Sequence, residues 1–251
     1  MAEIEREAME YDVVIVGAGP AGLSAAIRLK QLDADLQVVV LEKGSEVGAH
    51  ILSGAVLDPV GLNRLIPDWK EKGAPLNVPV KDDKFYMLGA SGKARVPNFA
   101  MPPLMSNHGN YIVSMGNVCR WMAEQAENLG VEIFPGMSCS EIVYGEDGEV
   151  KGVVAGEFGR QADGTPGPSY EPGMELHGKY VFLSEGVRGS LSKQVIATYD
   201  LDSESDVQKY GLGMKEIWEI DPEKHRGHSG PYHGMAAERK RCRGRVFYLP
   251  P

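Results

Sequence analysis

The amino-acid sequence predicts an α/β fold built on a parallel βαβ unit, and two observations predict it. The first is the run from Tyr11 to Leu29. Val13 to Val16 reads as a buried strand, Gly17-Ala-Gly-Pro-Ala-Gly22 follows at once, and Leu23 to Leu29 reads as a helix. A G-x-G-x-x-G turn in this strand–turn–helix setting marks a dinucleotide site. The second is Leu36 to Leu41, an apolar strand ending in Glu42, 25 positions after Gly17. An acid near this spacing holds ribose hydroxyls.

Each residue of the turn has a physical role. Gly17 permits the tight turn, Gly19 lets backbone approach a pyrophosphate, and Gly22 lets the helix sit close on the strand. Ala18, Pro20 and Ala21 complete the cradle at the helix N-terminus, whose dipole favours phosphate. Glu42 favours an unphosphorylated ribose, hence FAD or NAD rather than NADP.

Composition narrows the class. The chain has 251 residues, 43% of them hydrophobic, enough for one large or two modest domains. A net charge of −9 argues against a general nucleic-acid binder. Three cysteines, Cys119, Cys139 and Cys242, show neither metal spacing nor a disulfide framework, which fits a reducing compartment. No apolar run reaches the roughly 20 residues of a membrane span. Met1 to Glu10 is acidic and has neither the apolar stretch of a signal peptide nor the Arg-rich face of a transit peptide.

Further along, Lys43 to Ala49 is a Gly-containing loop, and residues 59–66 read as a short helix. Lys84 to Leu88 and Arg95-Val96 flank a turn. Pro97 to Met105 is apolar but broken by three prolines, suiting a membrane surface or partner if exposed and an irregular core loop if buried. Asn110 to Val113 reads as extended. Ser114 to Leu129 carries Val118, Trp121, Met122 and Ala126 at helical spacing, with Arg120 on the polar face. Val131 to Phe134 is a strand, and Glu141–Tyr144 with Val150–Ala155 form a hairpin. Residues 159–174 read as a Gly/Pro-rich surface loop. Glu175–His177 and then Lys179–Leu183 make another strand, which runs through Ser184-Glu-Gly186 into a helix from about Ser190 to Thr198. Tyr210 to Ile220 reads as a strand of a second sheet.

Together these stretches resemble a known family. The Gly17–Gly22 turn with Glu42, the helix carrying Arg120 and the strand ending at Glu185-Gly186 are similar to the FAD/NAD(P)-binding, glutathione reductase-like fold. Gly48-Ala-His-Ile-Leu-Ser-Gly-Ala-Val-Leu-Asp-Pro59, Ile66 to Leu76, Asn107-His-Gly-Asn-Tyr-Ile-Val-Ser114, Gly173-Met-Glu-Leu-His177 and Tyr210 to Trp218 resemble the electron transfer flavoprotein–ubiquinone oxidoreductases. The resemblance implies an FAD-binding domain over 9–80 and 108–200, and part of a mixed-sheet ubiquinone-binding domain over 81–107 and 201–226. It implies FAD, a [4Fe-4S] cluster and ubiquinone, with electrons arriving from reduced electron transfer flavoprotein. It implies a monotopic, peripheral place on the cytoplasmic face of a bacterial inner membrane, and no nucleic-acid partner.

By the same resemblance, FAD's pyrophosphate sits at Gly17, Ala18, Gly19, Pro20 and Ala21, with Gly22 completing the cofactor-binding turn, and Glu42 accepts from the adenosine ribose. Arg120 reaches the pyrophosphate or is a surface helix arginine. Lys43 flanks the adenine or is solvated. Ala49 lines the isoalloxazine approach, and Glu185 and Gly186 pass the flavin or form a plain turn. No general acid or base is nominated, because electron transfer leaves the chemistry to cofactors.

The chain also departs from the family. Members are much longer, and the part without a counterpart here carries the cluster cysteines. The tail 227–251 is basic after an acidic chain. Val246 to Pro251 can be encoded by GTC TTT TAT CTA CCA CCT, which, shifted one base, reads Ser-Phe-Ile-Tyr-His, similar to the family. The expectation is a chain that follows the family to about residue 226 and is truncated or frameshifted beyond it. A non-catalytic FAD-binding remnant, or a related FAD-dependent isoprenoid reductase or hydroxylase, are the competing readings.

Overall fold

A computed structural model describes residues 5–51, 54–81, 83–89, 92–161, 163–209, 232–233 and 246–247. In chain order the elements are β1 (Ala8–Val16), α1 (Pro20–Leu32), β2 (Val38–Glu42), β3 (Ala55–Leu57), α2 (Val60–Leu65), β4 (Val78–Pro79), β5 (Lys84–Gly89), β6 (Gly92–Val96), β7 (Tyr111–Val113) and α3 (Met115–Glu127). There follow β8 (Glu132–Pro135), β9 (Cys139–Tyr144), β10 (Val150–Ala155), β11 (Phe158–Arg160), β12 (Pro166–Glu171), β13 (Met174–Leu183), α4 (Ser190–Tyr199), β14 (Tyr232–His233) and β15 (Val246–Phe247). Two compact units divide the chain, 1–51 with 115–206 and 52–114 with 207–251. Residues 52–80 and 108–114, grouped from the sequence with the FAD-binding part, therefore cluster with the second unit. The reason is pairing: β3, β7 and β4 form a three-stranded sheet of their own.

The first unit is organised by a six-stranded sheet in the order β8-β2-β1-β13-β10-β9. β8, β2, β1 and β13 run parallel, and β10 and β9 join antiparallel. Val38 to Leu41 are all buried, the unbroken apolar run expected of a central parallel strand covered on both faces. α1 buries Leu23, Ala26 and Ile27 at helical spacing, and α3 buries Val118, Trp121, Met122 and Ala126. Another cluster joins Val14, Val16, Leu41, Val153 and Leu176 to Leu191 of α4. The buried Lys30 spends its ammonium on the carbonyls of Ala34 (2.5 Å) and Leu36 (3.0 Å), fixing the α1–β2 connection. α1 starts earlier than its apolar pattern suggests, because Pro20 is suited to the first helical position.

β13, expected as one strand from Glu175 to Leu183, runs ten residues with Gly178 paired to Tyr11 in mid-strand. One sequence expectation needs correction. Residues 159–174 are not a loop: they hold the β11–β12 hairpin and the start of β13. The glycines there serve close strand approach, since a Cβ on Gly159 would stand 2.4 Å from the Ser169 carbonyl oxygen. Glu157 anchors the hairpin. Its carboxylate, 4% exposed, accepts from Arg6 (3.3 Å), from Arg160 Nε (2.9 Å) and from Tyr170 (2.8 Å).

In the second unit, Trp69 donates to Asn63 Oδ1 (2.7 Å) and meets Tyr111 edge-on at 5.7 Å. β5 and β6 form an antiparallel hairpin, and β14 pairs with β5. The segment after β6 is two 3-10 turns, Asn98–Ala100 and Pro103–Met105. It is exposed, so the core-loop alternative for it does not hold. The strand expected at 210–220, the tail apart from β14 and β15, and Cys242 lie outside the described residues.

Hydrogen bonds from Arg160, against the opposing pull of burial, lower the Glu157 carboxyl from 4.5 to about 2. The folded state thus favours the charged form. That contribution is complete above pH 4.5 and is lost as pH falls through about 2. Urea titrations should show Glu157→Gln less stable than the parent at neutral pH, with the gap closing between about pH 4.5 and about pH 2.

Candidate dinucleotide site

The C-terminal ends of β1, β2 and β13 converge on one glycine. The Gly17 N–H donates to the Leu41 carbonyl (2.7 Å), and the Ser184 N–H donates to the Val16 carbonyl (2.8 Å). Gly17 has φ +106°, and a Cβ there would lie 2.4 Å from the Ser184 carbonyl oxygen. Conformation and space both demand glycine. At Gly22 a Cβ would meet the Gly17 carbonyl oxygen at 2.1 Å, so this glycine sets how closely α1 seats on the turn. Gly19 differs: a Cβ there meets nothing within 4 Å. It is the N-cap of α1, with no side-chain cap and no acid in the first turn. The exposed first turn, Pro20 and Ala21, thus keeps an anion-attracting N-terminus open.

Glu42 closes the site from β2. Its Oε2 accepts from the Ala18 N–H (3.0 Å) and its Oε1 from the Gly44 N–H (2.7 Å). One carboxylate thereby ties the turn after β1 to the loop after β2. The Ala18 N–H, expected on a pyrophosphate, is engaged by Glu42. Cys119 of α3 is buried near this acid; burial first, and the Glu42 charge second, push its thiol up to about 11. Cys139 is likewise raised to about 12 by burial, then by Glu185. Neither is a reactive thiolate at neutral pH.

The loop 44–49 is pressed onto α3. Gly48 has φ +88°, and a Cβ there would stand 2.6 Å from the Gly116 carbonyl oxygen. Arg120 clamps the same loop, reaching Glu46 (3.1 Å) and the Val47 carbonyl (3.5 Å) while Asn117 holds its other nitrogen (2.7 Å). Lys43 and Ala49 are exposed on the loop. The structure thus brings Gly17 to Gly22, Glu42 and the Arg120-held loop into one unit.

Glu185 and Gly186 follow β13. Gly186, at φ +78°, has open space where a Cβ would be. The Glu185 carboxylate caps α4, accepting from the Leu191 N–H (3.2 Å), the Ser192 N–H (2.7 Å) and the Ser192 hydroxyl (2.7 Å). Burial raises its pKa, but these bonds together outweigh burial and leave it lowered. Sequence reading missed this cap; an acid shortly before Gly-Ser-Leu-Ser was the available signal. It also missed the Ser184 carbonyl as the group that Gly17 faces, a backbone contact that residue type cannot announce. His177 is structural, buried between Glu10 (2.9 Å) and Glu175 (2.8 Å). Among the described residues no group of three His, Cys, Asp or Glu could hold a metal ion.

Residues 15–66 match the NAD(P)-binding Rossmann-like domain family. The chain is 58% identical over 229 residues to the electron transfer flavoprotein–ubiquinone oxidoreductase of Pseudomonas aeruginosa, covering 89% of this chain and 42% of that protein. It is 54% identical over 226 residues to the mitochondrial protein of that name from Rattus norvegicus, covering 88% of this chain and 36% of that one. Along nearly nine-tenths of its length the chain is therefore similar to proteins named electron transfer flavoprotein–ubiquinone oxidoreductase. This chain spans less than half the length of these curated relatives. Among solved structures, a myxobacterial FAD-dependent halogenase matches with TM-score 0.52 and 16% identity, over 73% of this chain and 39% of that one. Pseudomonas aeruginosa PqsL matches with TM-score 0.52 and 16% identity, over 81% and 48%. These likenesses agree on the fold: α/β, of the FAD/NAD(P)-binding Rossmann-like type.

Gly22→Ala should lower the urea midpoint, because the turn must move off α1; an unchanged midpoint would refute that close seat. Glu185→Ala should cost about 1 kcal/mol through loss of the α4 cap, read by the same titration.

Proposed function

We propose that the chain holds FAD at the Gly17–Gly22 turn and is the flavin-carrying part of an oxidoreductase that accepts electrons from reduced electron transfer flavoprotein and reduces ubiquinone. The observation that carries the FAD reading is the contrast among three glycines. Gly17 and Gly22 are enforced by the protein's own backbone, whereas Gly19 faces open space at a helix N-terminus. A glycine without an internal reason fits a site kept clear for a phosphate approaching from outside. The curated relatives' names supply the donor and acceptor in this reading.

The residues present fit the group. The first-turn amides of α1 bind the pyrophosphate, with Arg120 of α3 available beside the 44–49 loop. Glu42 accepts from the adenosine ribose while keeping the turn in place. Lys43 flanks the adenine, Ala49 lines the approach to the ring, and the Glu185-Gly186 backbone passes the ribityl side. Bound FAD supplies the reversible redox chemistry. The chain's own task is to bind it, orient it and set its surroundings.

The described residues do not fit an iron–sulfur cluster: Cys119 and Cys139 are both free, on α3 and β9, with no metal-capable cluster around them. A [4Fe-4S] group of this protein would have to be held elsewhere. No described helix is long and apolar enough to cross a membrane. The ubiquinone reading carries a peripheral attachment at the cytoplasmic face of an inner membrane, with the second unit as the quinone-side part. The exposed segment Phe99-Ala-Met-Pro-Pro-Leu-Met105 supports this attachment: Phe99 and Leu104 are 92% and 100% exposed.

Purified chain should carry a yellow chromophore that acid releases as FAD. Gly19→Ala should keep the parent's thermal midpoint but bind flavin at least about tenfold more weakly, the effect of roughly 1.4 kcal/mol. Flavin binding unchanged in Gly19→Ala, or no flavin in a folded parent chain, would contradict the reading.

A further inference from the structure

The apolar segment of the second unit has an unusual root. Residues 97–107 contain no charged side chain, in a chain of net charge −9. The two 3-10 turns are set by prolines at 97, 102 and 103. Both ends return to one residue, Asp83. The Asn98 side-chain amide donates to the Asp83 backbone carbonyl (2.8 Å). The Asn107 backbone N–H donates to Asp83 Oδ2 (2.9 Å), and the Asn107 side-chain amide donates to Oδ1 (3.2 Å). Both carboxylate oxygens are thus spent inside the loop. A cleft between Asp83, Phe85, Met101, Pro102 and Met105 lies within the same arrangement.

The adjoining hairpin is amphipathic. Strand pairing sets Tyr86 opposite Arg95 and Phe85 opposite Val96. By alternation, Lys84, Tyr86, Lys93 and Arg95 share one face, while Phe85, Met87, Ala94 and Val96 share the other. Met87 is 64% exposed on that apolar face. Cations beside an uncharged apolar loop match an anionic bilayer surface, where aliphatic stems and apolar tips enter the interface and charged ends meet headgroups.

We propose that Asp83 is a positioning residue for membrane docking. It staples the two ends of the 97–107 loop so that Phe99 and Leu104 are presented together to a bilayer rich in anionic lipid. This rests on the peripheral-membrane reading above. The physical effect is pre-organisation: a free loop must be ordered on insertion, and the staple meets that entropy cost on folding. It also accounts for an acid at the root of a surface that otherwise suits anionic lipid, because the Asp83 charge is engaged by Asn107 and not presented outward.

The test is sedimentation of the full chain with vesicles of equal parts phosphatidylglycerol and phosphatidylcholine, and with phosphatidylcholine alone. The parent should sediment with the anionic vesicles, and Phe99→Glu with Leu104→Glu should abolish this. Asp83→Ala, its apolar residues intact, should partition about tenfold more weakly, the scale of losing such hydrogen bonds. Asp83→Asn keeps an acceptor for the Asn107 N–H and should recover most of the binding. A Leu104→Trp reporter should be quenched by brominated lipid in the parent background and much less with Asp83→Ala. If Asp83→Ala does not fold, Asn107→Ala, which keeps the backbone bond to Asp83 and removes the side-chain bonds to Asp83 and the Met105 carbonyl, should show a smaller loss in the same direction. A parent that stays in the supernatant overturns the docking reading and the staple with it. A parent that binds, with Asp83→Ala or Asn107→Ala equal to it and equally quenched, overturns the staple alone.

Discussion

Three strand ends meet where no side chain can stand. β1, β2 and β13 are brought to Gly17 by its bond to Leu41, by the Ser184 bond to Val16, and by a carbonyl that a Cβ would strike. The rest of the first unit follows from that meeting. α1 leaves the turn at an angle fixed by the absent Cβ of Gly22. Glu42, carried to the same point by β2, holds the turn and the next loop with one carboxylate. That loop is locked onto α3 by the Gly48–Gly116 approach and by Arg120. The candidate dinucleotide cradle is built from backbone geometry, with side chains acting chiefly to keep backbone in place.

This explains which parts of the structure could be read from residues alone. Val13–Val16, Leu36–Leu41 and the Val118–Ala126 spacing announce their elements because burial selects residue type with a period. The hairpin 158–171 does not: its glycines and prolines mimic a loop, and its real anchor, Glu157, is paired with Arg6 across 151 residues. Gly17, Gly19 and Gly22 were legible as a motif, but only the folded backbone separates the two with internal reasons from the one that faces outward. The sequence nominates Arg120 and Glu185 as candidate site residues without showing what they touch. One clamps a loop and the other caps a helix, contacts that depend on where strands end in space.

The two units also differ in the kind of order they show. The first is built around an apolar sheet with buried Val and Leu on its central strand. The second buries Trp69 beside a small sheet and leaves Phe99 and Leu104 exposed on a loop with no charge. Large apolar side chains exposed together on one loop suit an interaction surface.

The claim that decides the rest is that the turn after β1 and the loop after β2 form one site for the ADP half of FAD. Amide chemical shifts of Gly17 to Gly22 and of Gly44, followed while ADP and then FAD are titrated into the chain, test it most directly. The account predicts that both ligands move this same set of amides, the Ala18 signal among them because its bond to Glu42 is part of the site, and that FAD moves the Gly186 amide as well. Shifts confined to other parts of the chain, or none with either ligand, would contradict it.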